Sequence, residues 1–110
     1  MQDIVEPDYE EQKNIMELIL IEDFIRSLIS KIYELEECFT LSKNRLEVFP
    51  WNPRHKTDFM KYKILLETKR KEEKDVTKEV LEYLNSSEEL SKHLDNKTFP
   101  ILTALFEGEM

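Results

Sequence analysis

One glycine, Gly108, stands among the 110 residues of this chain. Glycine allows positive-φ turns and close backbone approach to a ligand. Without it, phosphate-cradling loops, dinucleotide fingerprints and tight β-hairpin turns lose their simplest construction. One cysteine, Cys38, rules out a disulfide within the chain and gives no hint of an oxidising compartment. The most apolar run, Ile15 to Ile21, contains Glu17 and is followed by Glu22 and Asp23. It falls far short of the roughly 20 apolar residues a membrane span requires. The opening Met1-Gln2-Asp3-Ile4-Val5-Glu6-Pro7 is acidic where an export signal is basic and then apolar. These absences point to an intracellular, cytoplasmic or nuclear, protein, in which the sequons at Asn85 and Asn96 are coincidental.

What is present is charge and helix-forming residues. Charged residues make up 36% of the chain and apolar ones 40%, with a net charge of −8. Residues 1–53 hold 5 basic and 12 acidic side chains, 54–78 hold 9 and 5, and 79–110 hold 2 and 7. Acidic ends around a basic middle suit a chain folded back on itself. The overall sign disfavours general binding to nucleic acid or to an anionic membrane.

Pro7 and the acids after it mark a helix start, and no breaker follows until about residue 45. Leu18, Ile21, Ile25, Leu28, Ile32, Leu35 and Phe39 recur three and four residues apart, which defines one apolar stripe. Leu46 to His55 contains Pro50 and Pro53 and reads as a hinge, with Phe49 and Trp51 expected to plug its end. A second helix starts at Asn52-Pro53 or at Thr57-Asp58 and continues through the apolar-free stretch 67–75 in register. Ser86 and Glu89 read as a capping box for a short helix carrying Leu90 and Leu94. Pro100 opens a last apolar turn that Gly108 closes. The expected fold is therefore all-α and a single domain. It is an elongated antiparallel hairpin (about 8–45 and 57–85, hinge 46–56) with one or two short helices at about 87–107. That makes a three- to four-helix bundle open to completion by a partner chain.

Two excesses of apolar surface suggest such a partner. Folding the second helix back sets polar residues 67–75 against Leu28, Ile29, Ile32 and Leu35. Either the C-terminal apolar residues or another chain is then needed to cover that part of the stripe. Phe24 and Ile29 widen the stripe itself, while Met16, Ile19 and Leu20, in the apolar segment that opens at Ile15, point elsewhere; contact with a partner is expected around Ile15, Met16, Ile19, Leu20 and Phe24. These five, with Phe49 and Trp51 as a second surface, are the candidate partner-binding residues.

Chemistry is scarce by comparison. His55 and His93 lie far apart, read as a solvated loop residue and a helix-face residue beside Glu89, and form no metal-ligand spacing with Cys38. Cys38 reads as a small apolar filler. Glu34 with Glu37, and Glu72 with Asp75, are acid pairs three apart on the two helices. In that respect the chain partly resembles the magnesium-dependent all-α nucleotide pyrophosphatases. It departs from them in having Tyr33, not a second acid, before Glu34, and in the spacing of its motifs. Lys69, Arg70 and Lys71, with Lys61, Lys63, Lys74 and Lys78, offer a phosphate-gripping patch, interleaved with acids that neutralise it. The expected function is thus a non-enzymatic interaction module without metal or cofactor, a small helical subunit or adaptor that binds a protein partner or a second copy. Nucleic acid would enter only through a complex, and no membrane partner is expected.

Overall fold

A computed structural model describes residues 9–108. The fold is all-α, with no strand among the described residues: α1 (Tyr9–Val48), α2 (Pro53–Ser86), α3 (Glu88–Ser91) and α4 (Pro100–Phe106). The two long helices pack as an antiparallel hairpin. The start expected at Pro7–Asp8 lies outside the described residues. No helix among them is long and apolar enough to cross a membrane.

The expected hinge at 46–56 is too long. α1 continues to Val48, and α2 already begins at Pro53, leaving only residues 49–52 between them. Asn52 explains the early restart: its side-chain oxygen accepts the Arg54 N–H at 2.9 Å, and Pro53 fills the first helical position, where no N–H is needed. α2 then passes through 67–75 unbroken, as the absence of Gly and Pro implies. Its end also differs from expectation. Ser86 is the last residue of α2 and donates its hydroxyl to the Tyr83 carbonyl at 2.8 Å. The cap of α3 is Ser87, whose oxygen accepts from the Leu90 N–H, so Leu90 and not Glu89 holds the third position. α3 is a single turn, and Leu94 lies beyond it.

The chain divides into two packed units, Met1–Arg26 with Val76–Met110, and Ser27–Asp75. In the second unit Ile32, Leu35 and Leu66 form a buried cluster, with Phe39 and Tyr62 packed against it. Phe39 stacks on Phe59 with ring centroids 5.2 Å apart. Arg70 reaches Glu36 at 3.4 Å, close to the register expected from folding the chain at its prolines. Leu28, Ile32 and Leu35 are all buried within the chain itself. Ile29 is half-buried, so most of the stripe opposite 67–75 is covered without a second chain.

In the first unit Leu18, Ile25, Leu84, Leu90, Phe99 and Leu102 are buried. Ile21, assigned to the stripe, is only half-buried, while the neighbouring Glu22 is buried. The reason is α4. Phe99 occupies its N-cap position and has no side-chain acceptor to offer. Glu22 supplies two: Oε2 accepts the Ile101 N–H at 3.1 Å and Oε1 the Leu102 N–H at 2.9 Å. Arg26 adds a guanidinium contact to the same carboxylate at 3.0 Å. A negative group at a helix start satisfies open N–H donors and complements the helix dipole. The preceding loop is shaped by Asp95, whose side chain accepts the Lys97 and Thr98 N–H groups at 2.7 and 3.3 Å. The Lys97 bond is the main reason the Asp95 carboxyl titrates below its ordinary value. Gly108 ends the chain of helices with φ 78°, the left-handed geometry that suits glycine.

Glu22→Ala should lower the unfolding free energy by about 1–3 kcal/mol for each buried donor left open. Glu22→Gln, which keeps one acceptor, should fall between that variant and wild type. Urea denaturation ranks the three, and faster amide exchange at Ile101 and Leu102 locates the loss in α4.

Candidate functional site

On an α-helix successive residues are rotated by 100°, so positions four apart fall on one slowly drifting line. Leu18 and Ile25 turn into the first unit and are fully buried. Met16, Leu20 and Phe24 lie on the opposite side of α1, and they are 60%, 65% and 54% exposed. Ile19 flanks them and is exposed to a smaller degree, and Ile15 is half-buried. Tyr9 extends the line by two turns toward the start of the helix and is exposed. Tyr9, Gln12, Lys13, Met16, Glu17 and Leu20 line an open surface groove of about 480 Å³. Tyr9, Met16 and Leu20 give it an apolar share beside the polar Gln12, Lys13 and Glu17.

Glu17 in this groove is held in place. The Tyr83 hydroxyl donates to its carboxylate at 2.5 Å. That bond, with some desolvation and the negative charge of Glu17, raises the Tyr83 phenol above its ordinary value. α2 thereby fixes one wall of the apolar strip on α1, a link the spacing of residues did not reveal.

Phe49 and Trp51 do not plug the end of the hairpin. They are 45% and 75% exposed, and they pack on one another edge to face with ring centroids 5.6 Å apart. Four residues between the helices leave no slack to tuck either ring inward. Phe49 also meets His55, centroids 5.9 Å apart, in the first turn of α2, so His55 is a helix residue and not part of a loop.

The remaining candidates assemble no chemistry among the described residues. His93 follows α3 and does not sit beside Glu89 on a helix face; its Nε2 is buried without a protein partner. Glu89 pairs instead with Lys92 at 3.1 Å. Glu34 pairs with Lys31 at 3.5 Å and Glu72 with Lys69 at 3.0 Å. No group of three His, Cys, Asp or Glu converges as a metal site among the described residues, so the two acid pairs are not gathered as the pyrophosphatase resemblance implies. Cys38 is a half-buried free thiol. Lys69 and Arg70 both have acidic partners, Glu72 and Glu36, which removes part of the basic patch.

The folded protein holds the Tyr83 proton more tightly than the unfolded chain does. This contribution to stability is intact below about pH 10 and lost as pH rises through the higher folded value. Absorbance titration should show a late-ionising tyrosine component that is missing in Tyr83→Phe, whose alkaline unfolding should also begin at lower pH. No protein-family model, no curated protein and no solved structure matches this chain.

Proposed function

We propose that the protein is a non-enzymatic interaction module, a small helical subunit or adaptor that joins a larger assembly by helix-on-helix packing, or pairs with a second copy. The surface is the strip formed by Ile15, Met16, Ile19, Leu20 and Phe24. One observation supports this reading above others: α1 buries Leu18 and Ile25 and still exposes Met16, Leu20 and Phe24 on its reverse side. A solvated helix has no need of three large apolar side chains in line. An intracellular setting fits the free Cys38.

Magnitudes set a condition on the partner. Fully burying a Leu, Met or Phe contributes about 1.5–3 kcal/mol, and these side chains are already partly covered. Association costs about 4–15 kcal/mol in lost freedom before side-chain ordering is counted. The strip alone is therefore marginal, and a partner helix must run along α1 past Met16 to the groove beside Tyr9. The alternative role, nucleic-acid contact through 69–78, is weakened by the pairing of Lys69 and Arg70 with acids on the same unit.

Leu20→Asp combined with Phe24→Asp should leave the denaturation midpoint nearly unchanged, since exposed positions usually shift stability by only about 0.5 kcal/mol. The same pair should abolish co-purification of the protein's partner, or convert a dimer to a monomer in light scattering at two concentrations. A wild-type chain that is monomeric at both concentrations, with the same partners retained by the variant, refutes the proposal.

A further inference from the structure

The turn between α1 and α2 carries a second surface with a different composition. Val48, Phe49 and Trp51 are exposed there within five residues of chain. Lys43 and Arg45 in the last turns of α1, and Arg54 and Lys56 in the first turn of α2, flank them along the chain and are all exposed. Among the described residues none of these four cations makes an ion pair, whereas Arg26, Lys31, Lys69, Arg70 and Lys92 each do. Only Glu47 and Asp58 oppose them over the same span. The acid excess of the chain lies elsewhere: Ser27–Asp75 holds 11 basic and 9 acidic residues.

We infer that this turn is a peripheral contact for an anionic lipid surface. Exposed apolar side chains flanked in the chain by exposed cations suit the two layers of a membrane interface. The indole and phenyl rings sit at headgroup level, and the cations lie at the phosphates and carboxylates around them. No described helix is apolar and long enough to span, so the contact stays at the surface. The rings themselves argue against single-stranded nucleic acid, the other anionic polymer that aromatics and cations bind. Phe49 and Trp51 meet at 89°, and Phe49 also lies near His55 at a tilt of 40°, so the rings form a compact knob and not a parallel slot for a base. This surface is separate from the α1 strip and stands or falls independently of it.

Trp51 is the only tryptophan in the chain and reports its own surroundings. Adding phosphatidylcholine vesicles that contain phosphatidylserine to the full chain should shift its emission to the blue and carry the protein into the vesicle pellet. Phosphatidylcholine alone should do neither. Raising salt toward about 1 M, where the Debye length is ~3 Å, should reverse the binding. Arg54→Glu with Lys56→Glu should weaken partitioning about tenfold or more, and Phe49→Ala with Trp51→Ala should abolish pelleting while the helical circular dichroism persists. Unchanged emission with the phosphatidylserine vesicles overturns the inference. So does an equal shift with phosphatidylcholine alone, or a shift produced only by a single-stranded oligonucleotide, which would assign the turn to nucleic acid.

Discussion

The whole arrangement depends on the burial of one apolar ridge on α1. Leu18 and Ile25 in one unit, and Leu28, Ile32 and Leu35 in the other, are withdrawn from water. Each such residue contributes about 1.5–3 kcal/mol, more than any exposed ion pair on this surface can supply. Orienting that ridge inward fixes the rotation of α1 about its own axis. Everything else on the helix follows from that choice: Glu22 arrives beside the start of α4, and Met16, Leu20 and Phe24 are left facing outward. The strip proposed as a binding surface is the side of α1 that the other described residues leave uncovered.

Much of this was readable from spacing alone. A three-four recurrence from Leu18 to Phe39 determines a buried side whatever the partner, and the lack of Gly or Pro between 54 and 86 leaves a helix no reason to stop. Proline positions set the turn to within a few residues, but its length hinged on Asn52. An asparagine before Pro53 caps a helix at once, whereas the competing Thr57-Asp58 start required four more residues of loop. Ser86 and Ser87 are chemically equivalent candidates for one cap, and only the backbone angle at Ser87, extended at φ −133°, distinguishes them.

Other features were written in the chain but needed three dimensions to interpret. Glu22 stands next to the apolar stripe, where a lone carboxylate looks like a margin residue. Its partner is a helix that begins after Phe99, a residue unable to cap itself, and the two are joined across 80 positions. A Pro-led helix lacking a polar cap residue was the available signal that an acceptor must come from elsewhere. The Tyr83–Glu17 bond and the exposed Phe49–Trp51 pair gave no comparable sign, since either tyrosine or tryptophan would sit as well in a core.

The separation between Glu22 and its acceptor amides bears on how the molecule is made. At about 5–20 residues per second, synthesis of the intervening chain takes roughly 4–16 s. Throughout that interval the carboxylate has no N-terminal amides of α4 to accept from, so the contact that holds the start of α4 belongs to the last-made part of the described chain.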